Sequence, residues 1–316
     1  MRPPPCLEYY LEMIAPSAAS SRPVIRVVHP SGALEQHLTA LEAGLAALES
    51  AGCEVRWDPN RANSSWRGYL AGDDQTRAKE LCDALIEPDV EIVWAARGGS
   101  GANRIIEPVL ESAKSIRPRI LLGFSDITTI LNAFAVRLNW ITFHGPVVTS
   151  IGRDSQSTDL EEILGVLQGG VSQVGFQRDP DGEPAIEGRL LGGNLTVLST
   201  MVGSHLGKGS GTGAIWLLED VGESPYRLDR SFWQLKQSGA MDGSVGLWMG
   251  DFDLGESETE RVAQRMAADS SLSVITGAPA GHRGALAVLP IGAAVRLEAT
   301  RGRVTALQPW VEHNGA

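Results

Sequence analysis

Alternation constrains this chain more than any motif in it. Across residues 24–143, five short apolar runs are separated by four segments whose apolar residues recur at helical intervals. The runs lie at 24–28, 54–57, 91–96, 120–124 and 140–143. The first helical segment, Ala33 to Ser50, carries Leu34, Leu38, Leu41, Leu45 and Leu48 at helical spacing, and Gly52 ends it. The second spans about Asp73 to Ile86, the third runs through Leu110, and the fourth carries Ile127, Ile130, Leu131, Phe134 and Ala135. Strand and helix in strict alternation predict a parallel, doubly wound sheet. Such sheets gather functional groups at the carboxyl ends of their strands, which places His29, the Arg97–Gly101 loop, Ser125 and His144 on one rim.

The fourth strand meets its helix through Gly123, Phe124, Ser125 and Asp126, too few residues for anything but a tight turn. A serine there holds its hydroxyl over the first turn of a helix, whose free backbone N–H groups can receive developing negative charge. That is the logic of a nucleophile elbow, although the second glycine of G-x-S-x-G is missing. The alternative is an ordinary helix N-cap by Ser125 or Asp126. The loop after strand three, Arg97-Gly-Gly-Ser-Gly101, matches neither G-x-G-x-x-G nor a Walker sequence, so it is a weak nucleotide loop. Its glycines would let backbone N–H groups turn toward a neighbouring site, as an oxyanion hole requires.

From Thr149 to about Glu187 the chain turns polar and glycine-rich, with Asp179-Pro-Asp-Gly182 as a turn, and the domain boundary belongs here. Beyond it a helix opens at Gly192-Gly-Asn-Leu195. Strands are expected at 214–218, 245–249 and 273–276, helices at about 226–237 and 256–268, and alternating strands at 285–289, 294–297 and 303–307. The second half therefore reads as α+β with a β-rich tail. Residues 1–22 read as an extension or linker, with a short helix allowed over 7–14. The division is then 1–22, an N-terminal α/β domain over 23–150, a linker over 151–186, and a C-terminal β/α domain over 187–316.

Composition excludes several classes. With 43% hydrophobic and 21% charged residues, the 316-residue chain is a globular protein able to bury a core. A net charge of −11 and a pI of about 5.1 oppose a nucleic-acid binder. No apolar run reaches membrane-spanning length and Met1–Pro5 is no secretory n-region, so a cytoplasmic protein is expected. Cys6, Cys53 and Cys82 lack paired spacing and read as reduced thiols. None of the histidines, at 29, 37, 144, 205, 282 and 313, shows metal-ligand spacing, so neither metal nor cofactor is expected. His37 falls on a solvated helix face and His313 in a polar tail. His205 sits in a glycine-rich loop, and His29 and His144 read as packing or supporting residues. His282, between Gly281 and Arg283, can project into a cleft. Glu219 follows the apolar Trp216-Leu-Leu218, where a salt bridge to Arg227 or Arg230 is its simplest role.

Six blocks together resemble the LD-carboxypeptidases of the muramoyl-tetrapeptide type, serine peptidases of cell-wall recycling. They are Arg97-Gly-Gly-Ser-Gly-Ala-Asn-Arg104, Gly123-Phe-Ser-Asp-Ile-Thr128, Thr142-Phe-His-Gly-Pro146, Glu187-Gly-Arg-Leu-Leu-Gly-Gly-Asn-Leu195, the Leu218–Arg230 stretch, and Gly281-His282 with Leu289-Pro-Ile-Gly292. Their order is the family's, and Ser100 stands where the family often carries an aromatic residue. The resemblance implies a flavodoxin-like doubly wound domain, a smaller swivelling β/α C-terminal domain, and a homodimer. It implies Ser125 as nucleophile, Glu219 and His282 as its triad partners, and backbone N–H groups near Gly99 and of Asp126 as oxyanion donors. Removing a terminal residue requires a cation for its carboxylate, with Arg97, Arg227 and Arg230 as candidates. The implied substrate is a small muropeptide, losing D-alanine from L-Ala–γ-D-Glu–diaminopimelate–D-Ala. Related microcin C self-immunity peptidases share the triad but act on acyl-sulfamoyl adenylate conjugates. A nucleotide- or peptide-binding protein without catalysis is the remaining alternative.

Overall fold

A computed structural model describes residues 13–61, 64–151, 159–178, 185–283 and 286–312. In the first half, β1 (Val24–Val28), α1 (Leu38–Ser50), β2 (Glu54–Arg56), α2 (Asp74–Ile86), β3 (Ile92–Ala95), α3 (Ile106–Ala113), β4 (Ile120–Gly123), α4 (Thr128–Leu138) and β5 (Thr142–His144) alternate as expected. The chain continues through α5 (Val148–Ile151), α6 (Leu160–Leu167), β6 (Gln173–Gly175), β7 (Ile186–Asn194), α7 (Leu195–Met201), β8 (Ala214–Glu219) and α8 (Pro225–Gln237). It closes with β9 (Gly246–Met249), α9 (Glu256–Ser270), β10 (Ser273–Ile275), β11 (Leu289–Ile291), β12 (Ala294–Glu298) and β13 (Arg303–Ala306).

Two sheets form. The first has the order β11-β5-β4-β3-β1-β2, and its five N-terminal strands are parallel in the flavodoxin-like sequence 2-1-3-4-5. Every residue of β3 and β4 is buried, which follows from helices covering both faces of a parallel sheet. Local chemistry sets the helix limits. Asp73 caps α2 by accepting the Thr76 N–H at 2.7 Å, and Asn139 ends α4 in the left-handed region at φ 56°. The second sheet runs β10-β9-β8-β7-β12-β13-β6, parallel from β7 to β10 and antiparallel beyond.

Four expectations are corrected. The strand expected at 285–289 falls at Leu289–Ile291 and crosses back to the first sheet, antiparallel to β5, with Leu289 opposite His144. Pro290 cannot donate to a second neighbour, which suits a strand at a sheet edge. The helix expected to open at Gly192 begins at Leu195, and the nine residues before it form β7. A Cβ on Gly192 would lie 2.0 Å from the Leu217 carbonyl oxygen, so glycine is what lets β7 lie this close to β8. The expected linker over 151–186 carries α6 and β6; Asp159 caps α6, and Ile163, Leu164, Val166 and Leu167 bury one face of it. Its turn at 179–182 lies outside the described residues. Residues 13–22 are no linker either. Ile14 and Ser17 bridge to Trp140 and Glu312, Ala15 and Ala19 are buried, and the Ser20 hydroxyl donates to Glu91 at 2.9 Å.

Contacts between α4 and β7 set the two sheets relative to each other, among them the Asn194 N–H donated to the Thr128 hydroxyl at 3.1 Å and the Arg189 guanidinium donated to the Ala135 carbonyl. Asn132, fully buried on α4, donates to the Gly192 carbonyl at 2.8 Å and accepts the Gly192 N–H at 2.8 Å. The helix that follows Ser125 is thereby fixed to the strand beside β8, and β8 ends in Glu219.

Candidate active site

Ser125 has φ 61°, in the left-handed region that non-glycine residues avoid at a cost of about 1–2 kcal/mol. It opens a single 3-10 turn, Ser125–Ile127, that leads into α4, so the Ser125 and Asp126 N–H groups stand at the start of helical structure. Phe124 before it is extended. The Arg97–Gly101 loop lies directly alongside: a Cβ on Gly98 would sit 2.7 Å from the Ser125 Cβ and 2.9 Å from its Oγ. Glycine is therefore required there, and the exposed Gly99 follows at φ 132°.

The second sheet supplies the other groups. Glu219 ends β8 with no exposed surface, and its Oε2 lies 2.9 Å from His282 Nδ1. With Glu219 ionised its oxygen can only accept, which assigns the proton to Nδ1 and makes Nε2 the basic nitrogen. The His282 ring rests on Phe124, with centroids 4.8 Å apart, and His144 meets the same phenyl ring edge-on at 6.1 Å. A residue of the second half is thus seated against the immediate neighbour of Ser125.

Electrostatics separates these groups. Burial lowers the His282 pKa, but the Glu219 hydrogen bond and charge, aided by Asp220 and Asp251, outweigh it and the net direction is up. Burial raises the Glu219 carboxyl, the His282 bond and charge oppose this, and the net direction is again up. Burial, reinforced by the His282 charge, drives His144 down to about 3. His144 is therefore a neutral ring at any ordinary pH, in keeping with a supporting role.

The remaining candidates are elsewhere or otherwise engaged. Arg97 donates to the Ala33 carbonyl and lines a pocket of about 270 Å³ with Gly32, His37, Tyr69, Gly99 and Ser100 among others. Ser125, Glu219 and His282 do not line that pocket; Gly99 and Ser100 connect it to the elbow. His37 sits just ahead of α1, which starts at Leu38 rather than Ala33, so it faces this pocket instead of a solvated helix face. Arg227 pairs with Glu223 at 2.8 Å and Arg230 lies over the Tyr226 ring, both on the exposed side of α8. The salt bridge considered for Glu219 does not form with either, because His282 takes its carboxylate. His29 is buried against Glu80 at 2.8 Å, His205 stands 3.6 Å from Glu107, and His313 lies outside the described residues.

Sequence reasoning missed Phe124 as the seat of His282, for which no sequence pattern exists. It also missed Asn194, which caps α7 through the Val197 N–H at 3.0 Å and donates to Asp220, next to Glu219, at 3.0 Å. An asparagine just before an apolar helical run was a legible sign of that cap. Among the described residues no cluster of three or more His, Cys, Asp or Glu could hold a metal ion, and no helix is long and apolar enough to cross a membrane.

Known proteins resemble the chain in both halves. Residues 25–145 match the LD-carboxypeptidase N-terminal domain, and residues 187–297 match the LD-carboxypeptidase C-terminal domain. The murein tetrapeptide carboxypeptidase of Pseudomonas aeruginosa is 33% identical over 295 residues, covering 88% of this chain and 94% of that protein. The crystal structure of muramoyltetrapeptide carboxypeptidase from Oxalobacter formigenes has a TM-score of 0.72 at 26% identity, covering 89% of this chain and 97% of that one. The microcin C7 self immunity protein MccF shares the fold, with a TM-score of 0.81 at 19% identity over 95% of this chain and all of that one. Matched in both halves and over nearly its whole length, the chain belongs to the LD-carboxypeptidase family of serine carboxypeptidases.

Proposed function

We propose that the chain is a cytoplasmic LD-carboxypeptidase that releases terminal D-alanine from muropeptide tetrapeptides, with Ser125 as nucleophile, His282 as base and Glu219 as its orienting acid. The observation that carries this reading is the Glu219–His282 bond, with the His282 ring seated on Phe124 beside a serine in a strained turn. His282 Nε2 takes the Ser125 proton as Oγ attacks the carbonyl carbon at the L-centre. The tetrahedral oxyanion is received by the Gly99 and Asp126 N–H groups, each typically worth about 3–4 kcal/mol of barrier. Its collapse expels D-alanine, whose nitrogen takes the proton back from the imidazolium. Water then attacks the acyl-enzyme with His282 again as base.

Arg97 is the preferred partner for the terminal carboxylate, since its pocket adjoins Gly99 whereas Arg227 and Arg230 lie on the exposed side of α8. The nucleophile domain over 23–150, the C-terminal domain over 187–316 and a homodimer belong to the same proposal. Sedimentation of the purified chain as a monomer would remove the dimer from it.

The decisive experiment incubates the chain with defined muropeptides and weighs the products. D-Alanine should leave L-Ala–γ-D-Glu–diaminopimelate–D-Ala, and the pentapeptide ending in D-Ala-D-Ala should be cut far more slowly. An added residue moves the carboxylate past the arginine, so the charge-assisted hydrogen bond made to the tetrapeptide is lost. Equal rates, or preference for an acyl-sulfamoyl adenylate, would move the chain to the microcin branch.

A further inference from the structure

Three loops meet around Ser125, and two buried side chains of opposite charge hold them. Asp126, only 7% exposed, accepts the Ser31 hydroxyl at 2.6 Å and the Ala102 N–H at 2.9 Å, both on Oδ2. Arg77 of α2, with no exposed surface, donates from Nη1 to the carbonyls of Pro30 at 2.6 Å and Gly101 at 2.9 Å. The peptide joining Gly101 to Ala102 is thus gripped at both polar ends, its C=O by Arg77 and its N–H by Asp126. In the Pro30–Ser31 segment Arg77 holds the Pro30 carbonyl and Asp126 holds the Ser31 hydroxyl. Burial raises the Asp126 carboxyl, and the Ser31 and Ala102 bonds and the Arg77 charge oppose it.

The loops so held come closer than side chains allow. A Cβ on Gly99 would lie 2.8 Å from the Gly32 Cα, and one on Gly32 would lie 2.9 Å from the Gly98 carbonyl oxygen. Gly99 and Gly101 both take positive φ, at 132° and 105°, so this backbone has many alternatives open to it. Glycine permits the approach; it does not select the conformation. Something else must, because an oxyanion donor displaced by about 1 Å forfeits much of its effect.

We infer that the Asp126 side chain, backed by Arg77, is the positioning group of the oxyanion hole: by holding Ser31 and Ala102 it sets the Gly98–Ala102 loop against the elbow, so that the Gly99 and Asp126 N–H groups converge on one point. This rests on the assignment of Ser125 as nucleophile. The carboxylate itself touches no reacting atom and acts only through the two loops it ties.

Asp126→Ala, Asp126→Asn and Ser31→Ala test it, each with a thermal melt, tetrapeptide kinetics and the rate of Ser125 labelling by a fluorophosphonate. In that labelling Oγ displaces fluoride at phosphorus, its proton passing to the base, and the charge develops where the oxyanion would. Asp126→Ala should lower kcat about 10²-fold and slow labelling in parallel, with KM nearly unchanged. Ser31→Ala, which removes one of the two bonds, should cost about tenfold. Asp126→Asn should recover most of the loss, because an amide oxygen can still accept both donors. Wild-type kcat and labelling in folded Asp126→Ala or Ser31→Ala would overturn the inference, as would a loss confined to KM. Should Asp126→Ala fail to fold, Ser31→Ala and Asp126→Asn decide alone. A wild-type chain that is not labelled at all would overturn the Ser125 assignment and the positioning role with it, whereas a labelled wild type beside equally reactive variants overturns only the latter.

Discussion

Ser125 carries a conflict between stability and chemistry. Its φ of 61° is strained for a residue with a Cβ, and glycine would adopt it freely. Ser125→Gly should therefore abolish hydrolysis while raising stability by about 1 kcal/mol, read as a higher melting temperature. Ser125→Ala should be equally inactive without that gain. A destabilised Ser125→Gly would show that the hydroxyl, not the turn, holds the elbow together. The histidine offers a second reading at this scale. Only neutral His282 can accept the Ser125 proton, and its pKa is raised in the fold. The acid limb of kcat/KM should then lie above the ordinary imidazole value of about 6.5, with activity growing as pH rises through the folded pKa. Glu219 supplies most of that rise, so Glu219→Gln should move the limb downward and lower kcat about 10⁴-fold. A limb that stays in place in Glu219→Gln would separate the two residues functionally.

At the scale of elements, segments without sequence periodicity turn out to hold the ends of the sheets. Residues 13–22 bury Ala15 and Ala19, and the Met13 methyl reaches the tight turn at Gly292. Ile14 and Ala18 add backbone bonds to Asn139 and Glu312 at 2.7 Å each. Deleting residues 1–22 should lower unfolding stability by about 2–4 kcal/mol, from lost apolar burial and the unpaired backbone groups left behind. Deleting 1–12 is the control, and its proline-rich sequence without a core pattern predicts no loss. Equal melting temperatures for the two truncations would mean that the 13–22 contacts contribute nothing.

The whole molecule is interleaved rather than a pair of beads. β11 is separated from β5 by more than a hundred residues of chain, yet it covers that edge of the first sheet, while β12, three residues on, belongs to the second. A fragment of residues 23–150 would expose the β5 edge and leave Asn132 without Gly192, so it should show no cooperative melt near that of the full chain. Cooperative unfolding of the fragment at the full-chain temperature would show that the nucleophile domain is self-sufficient.

What the sequence determined by itself was whatever local chemistry encodes. Strand and helix alternation over 24–143 and the tight turn at Ser125 follow from residues close together in the chain, and the five parallel strands of the first sheet follow from them, whereas the need for glycine at 98 and 99 comes from Ser125 and Gly32, distant in sequence. Ser125, Glu219 and His282 could be named only because several separated blocks together resembled a family; Glu219 alone read better as an ion-pair partner of Arg227 or Arg230. Their meeting was decided by tertiary structure, since Glu219 ends β8 and His282 lies 63 residues on, in a loop held to the segment after β9 by the Asp251 N–H bond to the Ala280 carbonyl. The same holds for β7, where Gly192 and Gly193 argue locally against a strand and are needed because Leu217 lies against the first and the Thr128 hydroxyl against the second. It holds too for Asp126, whose backbone position was legible, whereas the partners of its carboxylate lie 95 and 24 residues away. Periodicity reports which face of an element is buried, but only packing decides what that face is buried against.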